Sequence, residues 1–161
     1  MNIISVDPGF DRVGIAVIKK ENNKETILFS ECLNTKKGGE ISDRIFLVGQ
    51  EIARVIKEYK PEALAIEKLY ITNNQKTAMG VSEARGVIIY EAKRAKIKIF
   101  EYTPGEIKVA VTGYGKADKA MVMNMVPKLV ELAHSTTSDD ELDAIAIGLT
   151  CLAREKFSFP Q

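Results

Sequence analysis

The sequence predicts an α/β fold, a five-stranded mixed sheet with an antiparallel edge and helices on both faces, in a single domain over residues 1–161. Three observations carry that expectation. The chain opens with three β-type segments joined by short polar turns. It then alternates helical periodicity with short apolar runs. No linker, repeat or low-complexity stretch divides its 161 residues, which suffice to bury one real core and fall short of two.

Residues 2–6, 13–19 and 26–33 read as strands, separated by Pro8-Gly9 and by Glu21-Asn22-Asn23-Lys24. Connections this short imply an antiparallel meander. From about Glu40 to Tyr59 the residues Ile41, Ile45, Val48, Ile52, Val55, Ile56 and Tyr59 recur at helical spacing, and Pro61 stops the segment, so it is an amphipathic crossover helix. Ala63-Leu64-Ala65-Ile66 is continuously apolar, as a central strand covered on both faces must be, and Glu67 interrupts it. A helix from about Gln75 to Arg94 follows, in which Gly80, Ala84 and Gly86 form a small-residue surface open to close backbone approach. A strand over 98–101, a helix opened by Pro104, the loop Thr112-Gly113-Tyr114-Gly115, a helix from about Ala117 to Leu132 and a last one from Asp140 to Ala153 complete the order βββαβαβααα.

Composition narrows the class. A chain 45% hydrophobic and 28% charged suits a soluble globular protein, and no apolar run approaches the roughly 18 residues of a membrane span. The first residues lack a secretory pattern, so a cytoplasmic location is expected. Cys32 and Cys151 form no CxxC pair and have apolar neighbours, which predicts reduced, buried thiols. The net charge of +1 leaves nucleic acid open, because binding needs only a local basic face. Lys93, Arg94, Lys96 and Lys98 form one basic stretch and Lys108, Lys116 and Lys119 a second, while Asp139, Asp140, Glu141 and Asp143 make an acidic knot. Basic surface beside carboxylates suggests a polyanion handled through metal.

Asp7 and Glu67 each end an apolar strand, and ligands of open α/β sheets bind at such ends. A right-handed crossover between the two strands would place both carboxylates at one sheet edge. Either residue alone is more simply a polar strand terminator; the pair is not. Asp140 and Asp143, spaced i, i+3, share one face of the last helix. First-turn acids also serve as caps, a role that suits Asp139. Asp143, however, adjoins the apolar run Ala144-Ile145-Ala146-Ile147 and needs a partner there, which a metal would supply. Gathered carboxylates repel, and divalent cations with oxygen preference relieve the repulsion. Two such ions about 3.5 to 4 Å apart activate a water and stabilise the leaving 3′ oxygen in phosphoryl displacement. No Ser/His or Cys/His constellation competes; the single histidine, His134, reads as a helix-end residue.

Asp7-Pro8-Gly9 with Gly14, Ala65-Ile66-Glu67, Glu83-Ala84-Arg85-Gly86, Phe100-Glu101-Tyr102-Thr103-Pro104 and the run from Asp140 to Ile147 together resemble, in order and over nearly the whole chain, the RuvC family of crossover junction endodeoxyribonucleases. The resemblance implies an RNase H-like fold and a homodimer. It further implies Mg²⁺-dependent paired nicking of four-way (Holliday) junction DNA in recombination and repair, with RuvA and RuvB as partners. It assigns Asp7, Glu67, Asp140 and Asp143 to the four acidic catalytic and metal-binding positions, with two Mg²⁺ per site and Mn²⁺ as a substitute. By the same resemblance Tyr70 stacks on an unpaired base, and Lys108, Lys116 and Lys119 hold backbone phosphates. Where the family carries a basic residue this chain has Asp11, and Arg12, one place later, becomes the candidate DNA contact. A two-fold junction matches a two-fold dimer, whose axis is expected near Gly80, Ala84 and Gly86. The competing readings are a YqgF-like RNA-processing nuclease, a junction-binding module without catalysis and an actin-like phosphate binder. Gly113-Tyr114-Gly115-Lys116 lacks the GxxxxGK[ST] spacing of a nucleotide loop.

Overall fold

The computed structural model describes residues 1–22, 24–35, 39–69, 75–132 and 138–156, with backbone alone at 75–77. Its elements are β1 (Asn2–Asp7), β2 (Arg12–Glu21), β3 (Lys24–Asn34), α1 (Ile41–Tyr59), β4 (Ala63–Glu67), α2 (Gln75–Arg94), β5 (Lys98–Tyr102), α3 (Pro104–Thr112), α4 (Lys119–Leu129) and α5 (Asp139–Arg154). The five strands form one sheet in the order β3-β2-β1-β4-β5. β1 pairs antiparallel with β2, and β2 with β3, across a register shift at Val17/Ile18; β1–β4 and β4–β5 are parallel. This is the sheet expected from the short early turns and the later helical crossovers.

Alternation along the strands sorts the core into two layers. Ile4, Val6, Val13, Ile15, Val17, Leu64 and Ile66 pack against Val48, Ile52 and Val55 of α1 and Ile88 and Ala92 of α2. Ile3, Ala16, Ile18, Ala63 and Ala65 turn to the opposite face, under α3, α4 and α5. β4 is buried from Ala63 to Ile66, which is why it has no polar alternation.

Two glycines set how closely α5 lies on the sheet. A Cβ at Gly14 of β2 would fall 1.9 Å from the Asp140 carbonyl oxygen, and one at Gly148 of α5 would fall 2.7 Å from Ser5 Oγ and from Ile18 Cδ1. Backbone therefore rests on backbone at Gly14, beside the end of β1 that carries Asp7, while Gly148 leaves room for the Ser5 and Ile18 side chains under α5.

The expected helix over 117–132 is shorter. Asp118 accepts from the Met121 amide as N-cap, and the Ala117 amide is spent on the Tyr114 carbonyl, so helix begins only at Lys119. Val130 is extended and closes α4 after Pro127. The cap of α5 is Ser138, in a reciprocal capping box with Glu141; Asp139, the expected cap, is the first helical residue.

Candidate active site

Val6 of β1 lies opposite Ile66 of β4, so one step further the parallel register carries Asp7 and Glu67 together off the same sheet end. Both continue the odd-numbered side of their strands, with Ile3 and Ser5 and with Ala63 and Ala65, and therefore face α5. α5 brings Asp140 and Asp143 over them from its first turn and a half. Burial comes first in pushing Asp7 up to about 7, followed by the charges of Asp143, Glu67 and Asp140. Burial, then Asp143, raises Glu67 as well. The structure thus brings the other three predicted carboxylates within electrostatic reach of Asp7.

Their partners divide them into two kinds. Asp140 Oδ2 lies 3.3 Å from Arg12 Nε, and Asp143 Oδ2 lies 3.1 Å from Lys119 Nζ. Lys119 also reaches Asp139, at 3.6 Å. Burial lowers the Lys119 ammonium and raises Asp143, but their mutual pairing opposes both effects, and Lys119 ends above its ordinary value. The side chains of Asp7 and Glu67 take no hydrogen bond or ion pair among the described residues, and no described side-chain oxygen is both fully buried and unpartnered, so their oxygens are not sealed in the core. No three His, Cys, Asp or Glu side chains stand close enough together for a metal ion among the described residues. The donor set, four carboxylates of which two make no ion pair among the described residues, fits a hard divalent ion.

A cleft of about 200 Å³ opens between Glu67, Lys108, Lys119 and Asp143, walled by Pro104, Ile107, Val122 and Ile147. Lys108 of α3 and Lys119 of α4 therefore flank the carboxylates, whereas Lys116 is exposed in the turn before α4 and makes no ion pair among the described residues. Tyr70 and His134 lie outside the described residues. Cys32 differs from expectation: its Sγ stands 3.6 Å from Asp140 Oδ2, half-buried at the site's edge, while Cys151 is buried as predicted. Burial and Asp140 raise the Cys32 thiol.

The small-residue surface of α2 is also corrected. Gly80 is buried, with a Cβ there falling 2.4 Å from the Phe10 ring, and Ala84 is buried too; Gly86 alone opens to solvent. Gly80 and Ala84 share a helix face one turn apart, and that face serves packing within the chain.

Three supports escaped sequence reasoning. Arg85 of α2 donates to the Glu67 carbonyl at 3.4 Å and pairs with Glu101, tying together the ends of β4 and β5. Ser30 of β3 donates to the buried Glu141 carboxylate at 2.9 Å, which removes Glu141 from the acidic knot and anchors the start of α5. Arg44 of α1 is buried against the β1–β2 turn. Each joins residues far apart in the chain, and no local pattern marks it.

The sequence pattern of the family described as "Crossover junction endodeoxyribonuclease RuvC" matches residues 3–151. RuvC of Halothermothrix orenii is 41% identical over 149 residues, covering 92% of this chain and 90% of that protein. RuvC of Thermosipho melanesiensis is 39% identical over 155 residues, covering 96% and 98%. Among solved structures, T. thermophilus RuvC in complex with Holliday junction substrate superposes with a TM-score of 0.87 at 27% identity, covering 95% of this chain and 93% of that one. The fowlpox virus Holliday junction resolvase, 17% identical with a TM-score of 0.60, shares the fold alone. The sheet and its helices are RNase H-like, and the chain belongs to the RuvC family of crossover junction endodeoxyribonucleases.

Proposed function

We propose that this nuclease binds four-way DNA junctions and resolves them by paired symmetrical nicks, with Asp7, Glu67, Asp140 and Asp143 as the catalytic carboxylates. One observation carries the reading: two unpartnered carboxylates on adjacent parallel strands lie under two more from α5, close enough to help hold Asp7 near 7. These four residues would hold two Mg²⁺ ions, with Mn²⁺ able to substitute. Such ions, when bound, lower the pKa of water and offset charge on the phosphate and on the leaving 3′ oxygen.

The chain's own part is orientation and charge. Asp7 and Glu67 sit on the rigid ends of central strands, where the sheet fixes their spacing. Lys119 and Arg12 pair with Asp143 and Asp140, and both would be available to backbone phosphates if those carboxylates held a metal ion. Lys108 continues that basic rim, with Lys116 further out. Tyr70, three residues beyond Glu67, supplies a ring for an unpaired base.

A homodimer matches the two equivalent cut sites of the junction. Phe46 of α1 is 64% exposed and Tyr90 of α2 is 62% exposed; beside them Ile45, Gly49 and Val87 line a groove between the two helices. This apolar face, with Gly86, replaces Gly80 and Ala84 as the surface offered to a second copy. RuvA and RuvB are the partners that family membership suggests, and the cytoplasm the compartment; among the described residues no helix is long and apolar enough to cross a membrane. The whole of 1–161 acts as one nuclease domain.

The deciding experiment is incision of a labelled mobile junction by wild type and Asp7→Asn, with Mg²⁺ or EDTA and with gel-shift binding in parallel. Paired nicks that vanish with EDTA or in the variant, while binding persists, are expected. Binding without cutting under either metal supports a non-catalytic module, and cutting of structured RNA alone supports RNA processing.

A further inference from the structure

Arg44 is 7% exposed, on the opposite side of the sheet from the carboxylates, yet every group it holds belongs to the turn that follows Asp7 or to the segment beside it. Its Nη2 donates to Asp11 Oδ1 at 2.5 Å and to the Phe10 carbonyl at 2.9 Å. Nε and Nη2 both donate to Thr35 Oγ1, at 3.1 and 2.9 Å. Thr35 in turn donates its hydroxyl to the Phe10 carbonyl at 2.7 Å and its amide to the Asp11 carbonyl at 3.0 Å. The guanidinium also lies 3.6 Å from the Phe10 ring centroid, and that ring is wedged at Gly80 of α2. One cation thus fastens the 8–11 turn to α1, to the end of β3 and, through Phe10, to α2.

What leaves the turn is Arg12, 61% exposed and 3.3 Å from Asp140. An ion pair that exposed is weak and cannot by itself hold a turn. The buried, multiply bonded Arg44 can, because charge-assisted bonds in the interior are stronger and costly to leave unmade. A groove of about 650 Å³ opens beside this turn, lined by Arg12, Asn34, Val81 and Asp140.

We propose that Arg44 is a positioning residue for strand cleavage: through Asp11, Phe10 and Thr35 it holds the turn so that Arg12 stands against Asp140 at the mouth of the carboxylate site. The inference rests on the nuclease reading above, and it requires the guanidinium fork. A lysine ammonium ends one atom nearer the main chain than Nη2, and it lacks both the Nε bond to Thr35 and the planar face that lies on the Phe10 ring.

The test is a double-mutant cycle of Arg44→Ala with Arg12→Ala, read as single-turnover cleavage at saturating junction, well below the melting temperature and with folding checked by circular dichroism. Arg44→Ala is expected to slow cleavage about tenfold or more in the wild-type background and less than twofold beside Arg12→Ala, and Arg44→Lys to stay within threefold of Arg44→Ala. A wild-type rate in Arg44→Ala, equal losses in both backgrounds, or full rescue by lysine overturns the proposal. A second readout needs no activity. Alkylation of Cys32, the half-buried thiol beside Asp140, should run at least threefold faster in folded Arg44→Ala, and an unchanged rate counts against the clamp. If the wild type cuts no junction at all, the nuclease reading fails and the Cys32 rates alone decide the clamp.

Discussion

Gly14 and Asp140 touch through their backbones: the position a Cβ would take on Gly14 is 1.9 Å from the Asp140 carbonyl oxygen. Gly14 is also the register partner of Asp7, so this contact sets the height of the last helix above the first carboxylate. Gly14→Ala should push the start of α5 off the sheet, cost about 2 to 4 kcal/mol of stability and abolish cleavage even where the chain stays folded. Melting of the variant and its single-turnover rate at low temperature check this; a wild-type rate shows that helix height does not matter.

Asp7 makes metal-free stability depend on pH. Its folded-state pKa of about 7 lies above the ordinary 3.8, so the folded chain binds this proton more tightly than the unfolded one. The stability it contributes is fully present below about pH 4 and is lost as pH rises through 7. Asp7→Asn should therefore match wild type near pH 4 in EDTA and exceed it by about 1 to 3 kcal/mol at pH 7.5. Saturating Mg²⁺ should narrow the gap. A gap independent of pH would show that burial and the neighbouring carboxylates do not raise the Asp7 pKa.

Lys108 and Lys119 flank the cleft, and each should account for one phosphate contact. Replacing either with alanine is expected to weaken junction binding a few-fold and to lower the slope of log affinity against log salt by about 1. Titrations over several salt concentrations measure the slope directly. Lys116→Ala, further from the carboxylates, should change it less.

Buried Glu141 depends on Ser30 for one of its donors. Ser30→Ala should destabilise the protein by about 1 to 3 kcal/mol, with α5 the first element to lose hydrogen-exchange protection. Uniform loss of protection would show that the bond does not anchor the helix.

Tyr90→Arg puts a charge in the exposed α1–α2 face. Sedimentation should then report a monomer at micromolar concentration, and the nicks on a junction should lose their pairing. A dimer that survives this change uses another surface.

The element order and the strand-end carboxylates were legible because they are local. Asp7 follows an apolar strand, Glu67 follows another, and the i, i+3 spacing of Asp140 and Asp143 needs only a helix. The cap of α5 was misplaced by one residue, since Ser138 and Asp139 are both good caps and only the Glu141 side chain chooses between them. Gly80, Ala84 and Gly86 looked like one surface in sequence, but Gly86 lies half a turn from Ala84, and the ring that fills the space at Gly80 comes from residue 10. Arg44 and Ser30 were invisible for a related reason: their partners are 33 and 111 residues away, a separation that no periodicity reports.

The capping box and the Ser30–Glu141 bond together make α5 the element that completes the site, because Asp140 and Asp143 reach Asp7 only when this helix is seated. During translation Asp7 and Glu67 leave the ribosome well before residues 139–154 are made. If the four carboxylates cut together, a nascent or clipped chain without that helix carries half of the set, and cleavage waits until residues 139–154 are made and seated.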